Sequence, residues 1–120
     1  HIHIILNSNK DEYDIAWFLK SIKQSVSRRA SDWLMKHDTE WYGKLCVERK
    51  DRKKVFRFWQ PGGGYDRNIT RHSTLLEMIN YIHHNPVRRG LVENSVDWKW
   101  SSAAWYENGK GVLIIDPVPE

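Results

Sequence analysis

An α+β fold is predicted, and three observations predict it. His1–Leu6 is a run of mostly β-branched and apolar residues that reads as a strand. Residues 13–36 repeat apolar side chains at helical spacing over a length no ordinary strand reaches. A second strand pattern at 55–59 and a second helical pattern at 74–84 follow, and this order fits an α+β domain better than a helical bundle. A length of 120 residues gives a single domain, 1–120, with a modest core.

Each element has its own signal. Ile2, Ile4, Ile5 and Leu6 make the first strand almost continuously hydrophobic, which implies cover on both faces and a neighbouring strand. Asn7-Ser8-Asn9-Lys10-Asp11 breaks it. In the long helix, Ile15, Phe18, Leu19, Ile22, Val26, Ala30, Trp33 and Leu34 form the apolar stripe, while Lys20, Lys23, Arg28 and Arg29 lie mostly on other faces. Trp41-Tyr42-Gly43 reads as an aromatic turn, and Pro61-Gly62-Gly63-Gly64 as a loop. That loop lacks the GxxxxGK[ST] pattern of a phosphate-cradling site.

The late helix is expected to be capped by Ser73 or Thr74, with Glu77 completing a capping box, and Pro86 to end it or start a turn. One more turn over 87–91 closes on Gly90. Asp97-Trp98-Lys99-Trp100-Ser101-Ser102 opens a short helical segment through Tyr106. Asn108-Gly109-Lys110-Gly111 breaks it, and residues 112–115 form a terminal strand or an extended strap before Asp116-Pro117-Val118-Pro119.

Lys and Arg total 19 against 15 for Asp and Glu, a formal charge of +4. This excess is compatible with a nucleic-acid partner without requiring one. The positions say more. Lys50, Arg52, Lys53, Lys54 and Arg57 form one basic segment, Arg67, Arg71 and His72 follow it, and Arg88 and Arg89 adjoin the late helix. Cys46 is the single cysteine, so no intramolecular disulfide forms, which fits a reducing cytosol. No apolar stretch approaches the length of a membrane span. The chain holds seven tryptophans, most of which are expected to serve the core.

Two patterns carry chemistry. His1 and His3, spaced by one residue on a strand, point the same way. Tyr81 and Asn85, spaced by four on a helix, do too. If these faces meet, two imidazoles and an amide oxygen form a mixed ligand set with open positions, which suits Mg²⁺ or Mn²⁺ better than structural Zn²⁺. Tyr81 then lies beside the metal as a nucleophile. A phenol of ordinary pKa is a weak nucleophile at neutral pH, and a cation on the scissile phosphate offsets this by neutralising charge in the transition state. His84, three residues after Tyr81, is placed to orient water or phosphate, while His83 is expected to point away as a surface group. Gln60 and Asp66 are further polar candidates, and Arg88 and Arg89 suit phosphate because a guanidinium fork matches its oxygens.

These residues resemble a known family. His1-Ile2-His3, Phe58-Trp59-Gln60-Pro61-Gly62, Tyr81-Ile82-His83-His84-Asn85-Pro86-Val87-Arg88-Arg89-Gly90-Leu91-Val92 and Asp97-Trp98-Lys99-Trp100-Ser101-Ser102 are similar to the IS200-like tyrosine transposases, most closely the REP-associated tyrosine transposases. The resemblance implies a ferredoxin-like α+β fold with packed helices. It implies metal-dependent nicking and rejoining of single-stranded or hairpin DNA through a 5′-phosphotyrosine. His1, His3 and Asn85 match the metal ligands and Tyr81 the nucleophile. Lys53, Lys54, Arg57, Arg67, Arg71, Arg88 and Arg89 would hold DNA phosphates, and aromatics such as Trp59 or Tyr65 would stack an unpaired base. A bacterial, nucleoid-associated, cytoplasmic protein is implied.

The chain departs from that family in two ways. The strand, helix and strand expected ahead of the histidine motif are absent, so a missing N-terminal segment or a second copy would be needed to complete the sheet. Gly62-Gly63-Gly64-Tyr65-Asp66 also replaces a stretch that often carries another histidine. The competing reading is a non-catalytic DNA-binding remnant. A metal-dependent hydrolase unrelated to DNA is weaker, because Asp66 and Asp97 form no evident carboxylate cluster.

Overall fold

A computed structural model describes residues 1–8 and 12–118. Part of the expected break at 9–11, and Pro119 of the C-terminal segment, lie outside the described residues. The elements are α1 (Ile15–His37), α2 (Thr39–Lys44), β1 (Cys46–Glu48), β2 (Lys54–Phe56), α3 (His72–Arg88), a 3₁₀ turn (Ser95–Asp97) and α4 (Ala103–Asn108). The fold is α+β, with packed helices and one two-stranded antiparallel sheet. The chain divides into two compact units, Asn7–Tyr65 and His1–Leu6 with Asp66–Glu120.

In the Asn7–Tyr65 unit, the Asp14 carboxylate opens α1 by accepting the Trp17 N–H at 3.0 Å. Asp38 does two jobs at the far end. Its own N–H donates to the Leu34 carbonyl at 2.8 Å, and its carboxylate accepts the Trp41 N–H at 3.0 Å. One residue thus closes α1 and caps α2, so Trp41-Tyr42-Gly43 is helical and not the expected turn. The Glu40–Lys44 pair at 2.7 Å spans that short helix. The Tyr42 ring stacks on Phe56 with centres 5.1 Å apart and ties α2 to the hairpin.

The hairpin pairs Cys46 with Phe56, Val47 with Val55 and Glu48 with Lys54. The expected strand at 55–59 therefore starts one residue earlier and ends at Phe56. Beyond it, the Trp59 Nε1–H donates to the Lys23 carbonyl at 2.9 Å, fastening this stretch to α1. No residue of this unit is fully buried among those described.

The other unit is built on α3. The helix begins at His72, ahead of the expected cap, and Arg71 precedes it without a side-chain capping bond. The Ser73/Thr74 capping box is therefore not formed as an entry, because those residues already lie inside the first turn. Pro86 does not end the helix but is buried within its last turns. Burial of its ring offsets the backbone hydrogen bond that its missing N–H removes. The real stop is at Gly90, whose φ of 67° admits the left-handed turn. Its N–H donates to the Val87 carbonyl and the Leu91 N–H to the Pro86 carbonyl, each at 2.9 Å, the reciprocal pair of a Schellman end.

Ile79, His83 and Pro86 are the buried positions of α3, spaced four and three apart on one face. His83 is only 8% exposed, which corrects the expectation of a surface group. Its Nε2 and the Ser102 hydroxyl are hydrogen-bonded at 2.9 Å, and its ring meets that of Tyr106 edge-on at 5.2 Å. α4 is thereby docked on α3, with Ala103 buried at its start. The helical segment expected from Asp97 is interrupted: a 3₁₀ turn, then an irregular stretch, then α4.

Three further expectations are corrected. His1–Leu6 forms no strand, and Ile2, Ile4, Ile5 and Leu6 are exposed. Alternation sets side-chain direction, but a strand also needs a ladder partner, and none of the described residues supplies one. Of the two alternatives for residues 112–115, the terminal strand is not formed, for the same reason. Trp17, Trp33, Trp41 and Trp100 are exposed rather than core, while Trp59, Trp98 and Trp105 are half-buried. Ile79, Pro86 and Ala103 are the buried apolar residues among those described, so there is little core for the indoles to enter.

Burial, and then the neighbouring His84, lower the His83 pKa below its ordinary 6.5. As pH falls through 6.5 the unfolded chain takes up the proton before the folded one does, so stability is lost with falling pH. The melting temperature should therefore drop between pH 7 and about pH 5, and His83→Gln should flatten that slope. An equal slope in the variant would assign the acid sensitivity to other groups.

Candidate functional site

α3 carries two stripes. Its buried stripe is Ile79, His83 and Pro86, and on the opposite side Tyr81, Asn85 and Arg88 follow one another at spacings of four and three. Tyr81 is 42% exposed because the anchoring residues point the other way. Against this outward stripe lies the first segment of the chain. The His3 ring meets the Tyr81 ring edge-on, centres 5.6 Å apart, and the His1 ring meets His3 at 4.9 Å. The Arg88 guanidinium lies over the Tyr81 ring at 5.5 Å. The structure thus brings together His1, His3, Tyr81 and Arg88. Asn85 stands one turn beyond Tyr81, half-buried.

The donor chemistry is restricted. Among the described residues no three of His, Cys, Asp and Glu gather into a metal-ligating group. A cation held here would take two imidazole nitrogens from His1 and His3 and need an amide or ligand oxygen besides.

The other predicted residues are scattered. Lys53, Lys54 and Arg57 are exposed around β2 in the Asn7–Tyr65 unit. Arg71 stands before the first turn of α3, and Arg88 and Arg89 stand at its end. A helix of 17 residues separates those ends by about 25 Å, so they do not serve one phosphate. Arg67 is exposed in the irregular stretch before α3. His84 is exposed, and its Nδ1–H donates to the Asn80 carbonyl at 3.0 Å, which leaves Nε2 to face solvent. Gln60 and Asp66 are exposed outside any helix or strand. Of the two stacking candidates, Trp59 is committed to α1 through its indole N–H, and Tyr65 is 88% exposed.

Sequence reasoning missed the buried role of His83. The signal was present: Ile79, His83 and Pro86 fall on one helical face, and a histidine inside an apolar stripe marks an inward polar group. It also missed that Arg88 shares the face of Tyr81, although a spacing of seven is two turns.

A protein of Haemophilus influenzae named "Putative REP-associated tyrosine transposase" is 26% identical to this chain over 102 residues. The match takes in 85% of this chain and 52% of that protein, so the chain spans about half the length of this curated relative. No family model and no solved structure matches the chain. No helix among the described residues is long and apolar enough to cross a membrane.

The pairing of the first segment with α3 should be visible in solution. Cross-relaxation between the ring protons of His3 and Tyr81 is expected in a proton NMR spectrum at neutral pH. Its absence, with other α3 contacts present, would detach the histidines from the tyrosine.

Proposed function

We propose that this chain is a DNA-acting enzyme of the tyrosine transposase type, with Tyr81 as nucleophile on a phosphodiester of single-stranded or hairpin DNA. The observation that carries the reading is the meeting of His3 with Tyr81, two residues remote in sequence, with His1 and Arg88 beside them. The similarity to the Haemophilus influenzae protein supports the same class, since that protein is named as a tyrosine transposase.

In the proposed reaction the Tyr81 oxygen forms a bond to phosphorus and the bond to the 3′-oxygen breaks. The phenol proton passes to solvent and the departing 3′-oxygen takes one up, leaving a free 3′-hydroxyl and a 5′-phosphotyrosine. Attack by a 3′-hydroxyl reverses or redirects the step, because the phosphodiester energy is kept in the ester. Arg88 holds the phosphate beside the hydroxyl through its fork of N–H donors. Arg89 adds charge at the same end of α3. His1, His3 and the Asn85 amide would hold Mg²⁺ or Mn²⁺, which when bound would neutralise charge on the phosphate oxygens. Lys53, Lys54, Arg57, Arg67 and Arg71 are proposed as phosphate contacts along the strand, away from the chemistry.

A DNA-binding remnant without catalysis is the second reading, favoured by the exposure of Ile2, Ile4 and Leu6 around the histidines. Histidines on a segment with no ladder partner hold a metal less firmly.

A covalent adduct is expected when a labelled single-stranded hairpin is incubated with the protein and Mg²⁺ or Mn²⁺, and none with Tyr81→Phe. Undiminished adduct in that variant would mean another nucleophile, while DNA binding without any adduct selects the remnant. Mn²⁺ should broaden the NMR signals of His1, His3 and the Asn85 side chain first. Broadening centred elsewhere would remove these residues as ligands.

A further inference from the structure

Trp100 is 62% exposed, although the tryptophans two before and five after it are half-buried. Its turn is built firmly. The Ser101 N–H donates to the Trp98 carbonyl at 2.9 Å, and the buried Ser101 hydroxyl accepts the Ala103 N–H at 3.1 Å. The preceding 3₁₀ turn packs on both α3 and α4, and its Asp97 carboxylate is taken up by the Asn94 amide at 2.9 Å. A large indole is therefore displayed to water by a pinned backbone, where a floppy loop would let it fold inward. Lys99 Nζ lies 5.0 Å from the centre of that ring, with no acidic partner among the described residues.

We propose that Trp100 and Lys99 form a stacking site for an unpaired base of single-stranded DNA, separate from the His3–Tyr81 constellation. An indole face with an adjacent ammonium fits one nucleotide: the base stacks on the ring and its phosphate meets the cation. A protein partner would need further apolar surface here, whereas the exposed neighbour Lys99 is charged and Ser101 is buried. The site replaces Trp59, whose indole is held by α1. It rests on the nucleic-acid reading above and assigns a residue that reading does not use.

The test is equilibrium binding of a short oligodeoxythymidylate to the full chain and to three variants, with melting temperatures recorded alongside. Trp100→Ala should weaken binding about tenfold or more, and Trp100→Phe, which keeps a stacking face, should restore most of it. Lys99→Ala should lower the salt slope by about 0.7, the share of one phosphate contact on a single strand. Equal affinity of Trp100→Ala and the parent would overturn the proposal, as would a loss shared by Trp100→Phe at an unchanged melting temperature. A parent that dimerises through this face, with Trp100→Ala monomeric and its DNA affinity unchanged, would overturn it in favour of a second copy as occupant. Normal Tyr81 adduct with an indifferent Trp100 would sink this inference alone, while a parent that binds no single strand would sink the DNA reading with it.

Discussion

The hydrogen bond between the buried His83, through Nε2, and the half-buried Ser102 hydroxyl, 2.9 Å long, sets the roll of α3 about its axis. A helix can turn its stripes toward or away from a neighbour at little backbone cost. This pair removes that freedom, because breaking it would leave the imidazole nitrogen of a buried histidine unsatisfied, at a cost of about 1–3 kcal/mol. Ile79 and Pro86 share the face of His83 and add apolar burial to the same orientation. With that face fixed inward, Tyr81, Asn85 and Arg88 are fixed outward. The exposure of the tyrosine is thus a consequence of what its helix buries.

The electrostatics suit contact with a polyanion rather than internal cohesion. Among the described residues the single salt bridge is Glu40–Lys44, on the surface of α2, and a pair of that kind contributes about 0.5 kcal/mol. The other described cations form no salt bridge with a described carboxylate. Two of them lie over aromatic rings instead: Arg88 over Tyr81 and Lys99 over Trp100. Such contacts hold a charge in place without neutralising it, so it stays available to phosphate. Arg88 is the clearest instance, since its guanidinium is held beside the hydroxyl-bearing ring that the reaction would use.

The histidine pair has a different kind of support. His1 and His3 belong to a segment without strand pairing, and their place against Tyr81 rests on edge-to-face ring contacts. Contacts of this type contribute about 0.5–1.5 kcal/mol, enough to bias a segment but less than a strand ladder supplies. Metal ligation and ring packing would therefore reinforce one another, with part of the binding energy used to order the segment.

How far the sequence went can be read from α1 and α3. The stripe from Ile15 to Leu34 placed α1 to within two residues, because propensity and period are local, whereas the Asp14 cap emerged only in the structure. The existence of α3, the shared face of Tyr81 and Asn85, and the Gly90 stop were legible for the same reason. α2 was not, since its helix depends on Asp38 serving two ends at once. Nor was the fate of His1–Leu6, because a strand exists only with a partner, and partners are a property of the whole fold. Local chemistry named the candidates, His1, His3, Tyr81, Asn85 and Arg88. Only the tertiary structure put His3 and Arg88 against the tyrosine and sent His83 inward, because packing decides which helical face is buried, and helical period alone says only which residues share one.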